Sequence, residues 1–143
     1  MPDISHSIDV AAAPGAIYPL VSSGRGFRTW WAEDVIEAPD SGADLGFFDR
    51  ATIYRLRPER LETDREATWR CESGDEWSGT RLIFELEPRG ETTRIRFKHA
   101  GWGRASDYFV SCNTTWGELM FRLKAAAEGK APGPLFKLNS LAY

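Results

Sequence analysis

Histidine and cysteine are the side chains that titrate or attack near neutral pH, and the chain has two of each: His6, His99, Cys71 and Cys112. His99 closes the run 93–99, in which Thr93, Ile95, Phe97 and His99 alternate with Arg94, Arg96 and Lys98. Strand parity therefore turns its imidazole toward the apolar side. There it could act as a general acid or base, since an ordinary imidazole titrates at about pH 6.5. It could also contact a ligand, or hydrogen-bond beside the Ala100-Gly101 turn, which is the plainest of the three readings. Cys112 belongs to the apolar stripe of a helix, too far from its start for the terminus to lower a thiol pKa. It reads as core packing, as does Cys71. The cysteines and histidines lack the spacing of a metal knuckle, so no metal is expected. Glycine-rich phosphate loops and His-Glu-x-x-His are missing too, so no cofactor is expected. Among the acids, Asp107 suits a helix N-terminus. Glu33 and Asp34 follow a tryptophan pair and fit either a cavity rim or a solvated loop. No two carboxylates are placed for glycosidase-type chemistry. Ser106 or Ser111 with His99 has no third member of a triad.

The aromatic residues are the stronger signal. Trp30, Trp31, Trp69, Trp77, Phe84, Phe97, Trp102, Tyr108, Phe109 and Trp116 exceed what a small core obviously needs. Such a set either fills the space between a sheet and a helix or lines a cavity for an apolar ligand, with a few polar groups fixing its orientation. The candidate ligand contacts are Trp31, Trp69, Trp77, Phe84, Phe97, His99, Trp102, Phe109, Asn113 and Trp116, with His99 and Asn113 as the orienting groups. Trp77 and Trp102 fall in or near loops and are expected at a rim or an interface. Trp30 and Trp31 are adjacent, so in a short helix they point about 100° apart. Trp30 follows Phe27 by three and is expected in the core. Trp31 is expected, partly exposed, at the cavity mouth.

These residues need elements to hold them. Residues 4–10 alternate as a half-buried strand. Pro14 suits the first turn of a helix carrying Ile17, Leu20 and Val21, which Pro19 should limit. A second short helix covers 26–31. Strands and turns follow: a short one at Val35-Ile36, then Leu45-Gly46-Phe47-Phe48, whose glycine suggests a bulge or a close backbone contact. The strand from Ala51 is expected to close near Arg57-Pro58. Residues 66–71 make a further strand, and 73–76 a turn. Residues 81–87 and 93–99 share an apolar face across a hairpin at Pro88-Arg89-Gly90-Glu91, the centre of an antiparallel sheet. From about 105 to 127 the period changes to three and four, through Phe109, Cys112, Trp116, Leu119, Met120 and Leu123. That is one long amphipathic helix, with Gly129 placed to end it. Strands first and a long helix last imply an α+β fold, its curved antiparallel sheet wrapped around the C-terminal helix.

The 143 residues give about 7,400 Å² of folded surface, enough burial for one core. The domain is expected over 1–129, with 130–143 a tail whose Leu135, Phe136 and Leu138 must pack on their own domain or on a second subunit, so a homodimer is one of two outcomes. Eighteen basic against 21 acidic residues, mixed along the chain, argue against electrostatic capture of nucleic acid. Arg94, Arg96 and Lys98 read as a solvated strand face. No apolar run reaches membrane-spanning length and no signal peptide is visible, so a cytoplasmic protein without stable membrane insertion is expected.

Several of these pieces, taken in order, resemble the START-like or Bet v 1-like (SRPBCC) superfamily, and within it the branch related to the activator of Hsp90 ATPase homologue 1. They are Ala13-Pro14, Phe27-Arg28-Thr29-Trp30-Trp31, the hairpin Leu82-Ile83-Phe84-Glu85-Leu86-Glu87-Pro88-Arg89-Gly90-Glu91-Thr92-Thr93-Arg94-Ile95, Lys98-His99-Ala100-Gly101-Trp102, and Trp116 with Leu119 and Leu123. The resemblance implies a helix-grip fold, with two short helices after the first strand and a cavity for hydrophobic or amphipathic molecules, lipids among them. Related branches act on polyketides, transport lipids or activate a chaperone. This chain departs from the pattern in residues 44–50, where a double glycine is reduced to Gly46 and the cavity mouth is reshaped. The function expected is binding of a hydrophobic small molecule. One alternative is a cyclase- or hydrolase-type enzyme with His99 as acid or base. Another is a chaperone-associated interaction module.

Overall fold

A computed structural model describes residues 1–138. The strands are β1 (Ile4–Val10), β2 (Val35–Glu37), β3 (Ala43–Phe47), β4 (Thr52–Glu62), β5 (Glu66–Cys71), β6 (Arg81–Arg89) and β7 (Thr92–Ala100). The helices are α1 (Pro14–Val21), α2 (Gly24–Trp30) and α3 (Asp107–Ala127). The strands form one antiparallel sheet in the order β1-β7-β6-β5-β4-β3-β2. Its concave face holds α3, and α1 and α2 close the side between β1 and β2, which is the helix-grip arrangement. The accessible surface of 7493 Å² matches the scaling value for one core.

Local chemistry sets the element ends. Pro14 opens α1, which continues through Pro19 to Val21, as expected, with Ser22 as its C-cap. The Ser23 hydroxyl caps α2 by accepting the Gly26 N–H at 3.0 Å. Residue 26 has to be glycine, since a Cβ there would lie 2.2 Å from the Pro19 carbonyl oxygen of α1. Ser106 caps α3 by accepting the Phe109 N–H at 3.1 Å, with Asp107 in the first turn and Lys124 in the last. At the other end the Glu128 carboxylate accepts the Ala11 N–H and the Lys124 ammonium, tying the helix to the end of β1. These two donors hold Glu128 down to about pKa 2.

One strand differs from expectation. β4 does not stop at Pro58 but runs to Glu62, because the register with β5 shifts between Pro58 and Arg60. A bulge is where a ladder tolerates a residue with no N–H to give. On the solvent face Arg94 pairs with Asp9 at 2.8 Å, Arg96 with Glu87 at 3.2 Å and Arg81 with Glu59 at 2.7 Å. These three arginines therefore meet carboxylates across the strands. Such exposed pairs contribute little each.

Three aromatic placements are corrected. Trp31 is only 1% exposed, Trp77 4%, and Trp102 is fully buried. Trp31 ends α2, where the sheet lies on one side and α3 crosses on the other, so two directions 100° apart both lead inward. Its ring stacks on Trp30 with centroids 5.8 Å apart and meets Trp116 of α3 at 5.0 Å. Trp77 is carried inward by the β5–β6 connection and stacks on Tyr54 at 3.9 Å. Trp102 is roofed by Phe109 at 5.3 Å and backed by His99 at 4.7 Å.

Residues 130–138 of the tail fold back on their own domain through Leu135 and Phe136, whereas Leu138, also expected to pack, is 58% exposed, and 139–143 lie outside the described residues. The Leu135 and Phe136 N–H groups donate to the carbonyls of Trp30 and Trp31 at 3.2 and 3.0 Å, and Glu33 N–H donates to the Phe136 carbonyl at 2.9 Å. Arg122 of α3 donates to the carbonyls of Pro132 and Gly133. Among the described residues no helix is long and apolar enough to cross a membrane.

Candidate ligand pocket

The grip leaves a cavity of about 110 Å³ toward the β2–β3 side of the sheet. Five segments wall it. The β3–β4 hairpin supplies Phe47, Phe48, Thr52 and Tyr54; the end of α2 supplies Trp31; the β5–β6 loop supplies Trp77; the tail supplies Phe136. α3 is the fifth and lays Tyr108, Ser111, Cys112, Thr115, Trp116 and Leu119 along one side, at the three-and-four spacing of one helix face. The hairpin is set by Asp34. Its carboxylate binds Arg50 at 2.7 Å and would lie 2.3 Å from a Cβ at position 46, so Gly46 is a close backbone approach. Phe48, Asp49 and Arg50 all take positive φ, 53°, 54° and 66°, a left-handed run that costs residues with a Cβ. The stretch without its second glycine is the stretch that shapes the mouth.

None of the described residues on the cavity wall is charged. Its polar groups are hydroxyls, one thiol and the indoles of Trp31, Trp77 and Trp116. The Tyr54 and Tyr108 hydroxyls hydrogen-bond to each other. Burial pushes Tyr54 up to about pKa 12, and burial with the Tyr54 bond pushes Tyr108 up as well. Burial also raises Cys112. All three are protonated and neutral at physiological pH, and none is a ready nucleophile. Behind this wall the Trp77 indole N–H has no acceptor among the described residues. The nearby Cys112 thiol feels it as a stabilising dipole, without hydrogen-bond geometry.

His99 stands one layer deeper. The Trp116 N–H donates to its Nδ1 at 3.1 Å, so Nδ1 is the acceptor nitrogen. Nε2 therefore carries the proton and donates to the Thr80 hydroxyl at 2.9 Å, which donates in turn to the Trp77 carbonyl at 2.5 Å. Burial lowers the imidazole to about pKa 3. The ring is held as one neutral tautomer bridging β7, α3 and the β5–β6 loop. It does not line the cavity, and both of its ring nitrogens are taken up by Trp116 and Thr80.

Of the ten expected ligand contacts, Trp31, Trp77 and Trp116 line the cavity. Trp69, Phe84 and Phe97 are packed in the core beneath, Trp69 donating its indole N–H to the Val21 carbonyl at 2.9 Å. Trp102 and Phe109 pair with each other at the start of α3. Asn113 is exposed on the far side of α3 and orients nothing in the pocket, because it sits one residue off the inward stripe. The sequence reading missed the hairpin aromatics, the Tyr54–Tyr108 pair and Phe136. The parity of Thr52, Tyr54 and Leu56 marked an inward face, but 54 residues separate the two tyrosines. Among the described residues no three of His, Cys, Asp and Glu converge as metal ligands.

Comparison with known proteins follows the same outline. The sequence profile of the family "Activator of Hsp90 ATPase homolog 1-like protein" matches residues 57–128. The solution structure of the Aha1 dimer from Colwellia psychrerythraea is similar, with 28% identity over 91% of this chain and 98% of that one, at a TM-score of 0.78. A crystal structure of a Mesorhizobium loti protein shares 10% identity over 89% of this chain and 97% of that one, at 0.74. CalU16 from Micromonospora echinospora shares 16% over 93% of this chain and 69% of that one, at 0.70. These last two show the fold alone. No curated protein matches the chain.

Proposed function

This chain belongs to the family of activator of Hsp90 ATPase homolog 1-like proteins, and we propose that it binds a small hydrophobic molecule, without chemistry, in the cavity between β3, β4, α3 and the tail. One observation carries the reading: an uncharged aromatic cavity whose described wall residues offer no group that titrates near neutrality. The volume of about 110 Å³ suits one aromatic ring and is well below the range of about 300–1,000 Å³ for larger ligands. A larger molecule requires Phe136 and the tail to move aside.

Titration with toluene, followed by thermal stabilisation and indole NMR shifts, tests the binding. Saturable binding is expected in the wild type, with loss of at least about tenfold in affinity for Thr115→Phe, which extends a ring into the cavity from a half-buried position. A wild type that ignores toluene refutes the reading.

A second reading concerns assembly. On the outer side of α3, Val110 is 59% exposed and Phe121 67% exposed. Eleven residues is three helical turns within about 20°, so they share one face. The Colwellia relative forms a dimer. We infer that this face joins two copies of the chain. Equilibrium sedimentation should give twice the chain mass for the wild type and a single chain mass for Phe121→Glu. A wild type that stays monomeric at high concentration removes the dimer.

A further inference from the structure

One wall of the cavity decides how large a molecule fits, provided that the binding reading above holds. The lining rings of Trp31, Phe47, Tyr54, Trp77 and Trp116 are each at most 6% exposed and belong to elements that the core holds in place. Close-packed rings of this kind do not yield without a loss of stability. Phe48 stands at the tip of the β3–β4 hairpin, where Asp34 pins the backbone. The Asp34 carboxylate binds Arg50, and its carbonyl accepts the Gly46 N–H at 2.8 Å. Phe136 is different. It is half-buried, lines the cavity and meets Phe47 edge-on at 5.1 Å. Yet it belongs to a segment with neither helix nor strand, whose one ladder contact is an isolated bridge to Ala32.

That segment is fastened point by point. Leaving α3, the chain bends through left-handed backbone at Gly129, Ala131 and Gly133, with φ of 83°, 47° and 75°. At Ala131 this conformation costs a residue with a Cβ, so the bent path is held by its docking rather than by preference. Arg122 holds the Pro132 and Gly133 carbonyls against α3. Across the cavity, the Leu135 and Phe136 N–H groups satisfy the Trp30 and Trp31 carbonyls, which the end of α2 leaves without helical partners. Glu33 closes the segment twice. Its N–H donates to the Phe136 carbonyl, and its carboxylate accepts the Leu138 N–H at 2.8 Å. Glu33 and Asp34 thus fasten the two flaps of the mouth side by side, Glu33 the tail and Asp34 the hairpin. A wall held by a few hydrogen bonds and little apolar burial opens more cheaply than the packed rings that face it.

We propose that Phe136 is the size filter of the cavity and that the tail is its closing strap. With the strap seated, the site takes an apolar molecule of one ring. A molecule of two fused rings fits only where the Phe136 ring is withdrawn. A one-ring occupant touches that ring and favours the seated strap, whereas a two-ring occupant competes with it for the same space.

Toluene and naphthalene test this on the full-length protein, titrated with indole NMR shifts as the readout and with hydrogen exchange of the tail amides alongside. The wild type should prefer toluene by at least about tenfold, since apolar pockets discriminate even single methylenes by about that factor. Phe136→Ala should gain at least about tenfold in naphthalene affinity and lose the preference. Leu138→Ala, on the same strap but 58% exposed, should keep the wild-type ranking. In the wild type, saturating toluene should slow exchange of the Leu135 and Phe136 N–H groups at least about threefold, and naphthalene should not. A wild type that takes naphthalene as readily as toluene overturns the filter and leaves the toluene site standing. So does a Phe136→Ala variant whose ranking is unchanged, or a Leu138→Ala variant that shifts it equally. Tail amides that exchange alike with and without toluene overturn the strap. Toluene that fails to bind the wild type overturns the binding reading itself, and the filter with it. The wild-type ranking and exchange carry the test even if a variant folds poorly.

Discussion

The unfolding free energy is expected to fall steeply as the pH drops below about 6.5, and His99 is the reason. Its imidazole titrates at 6.5 when unperturbed and at about 3 in the folded protein, where burial disfavours the cation. Between those values the unfolded chain binds a proton that the folded chain refuses, so stability decreases as pH falls. Above pH 6.5 both states are neutral and the residue contributes no slope. Each pH unit inside the window costs about 1.4 kcal/mol, hence about 2 kcal/mol between pH 6.5 and pH 5. The proton has nowhere to go without damage. Protonating Nδ1 turns the acceptor of the Trp116 N–H into a donor, and two donors then face each other. The carboxylates with lowered pKa, such as Asp9 and Glu59, titrate further down and are exposed, so they add slope mainly below pH 4.5. Denaturant unfolding of the wild type and of His99→Gln at several pH values isolates the effect. The variant should be less stable at pH 7 and nearly flat from pH 6.5 to 5. A wild type with no slope in that range would show that the imidazole can be charged in place.

The same residue shows what sequence patterning can and cannot convey. The parity of β7 placed His99 on the covered side, and β6 beside it was equally plain, because alternation is a local property and both strands are buried on one face only. The inward stripe of α3 was legible for the same reason, from Cys112 through Leu123. What hid His99's role is that its partners, Thr80 and Trp116, lie 19 and 17 residues away on different elements. The cavity was less legible than the core. Its wall is assembled from loops and a tail, where no period exists to read. Trp77 looked like a rim residue because its neighbours are turn-formers, yet the β5–β6 connection folds it under Tyr54. Phe136 was known to need a partner, but its pairing with Ala32 joins segments more than a hundred residues apart. Pro58 was read as a strand end because a proline breaks a regular ladder, and the bulge beside it is not encoded by alternation.

Truncating either member of the tryptophan pair should cost about 3–5 kcal/mol, in place of the asymmetry that helical geometry alone suggests. Trp30 is fully buried, donates its indole N–H to the Leu20 carbonyl at 2.9 Å, and packs edge-on against Phe27 and Phe84. Trp30→Ala removes a ring from a closed core and strands a carbonyl of α1. Trp31 touches Phe27 at 5.1 Å and Trp116 at 5.0 Å, and joins α2 to α3 across the grip. Trp31→Ala loses as much packing, but the vacated space adjoins the existing cavity. The two variants should therefore look alike by denaturant unfolding and differ in ligand size. Trp31→Ala should admit a two-ring probe such as naphthalene that the wild type excludes, whereas Trp30→Ala should not, because its void lies between α1 and β6. Trp30→Phe should lose about 1–3 kcal/mol, chiefly from the unpaired Leu20 carbonyl and the smaller ring. Measured stabilities that differ by more than about 3 kcal/mol between the two alanine variants would mean that one ring is not part of the packed interior. Naphthalene binding to the Trp30 variant alone would place the cavity on the wrong side of the pair.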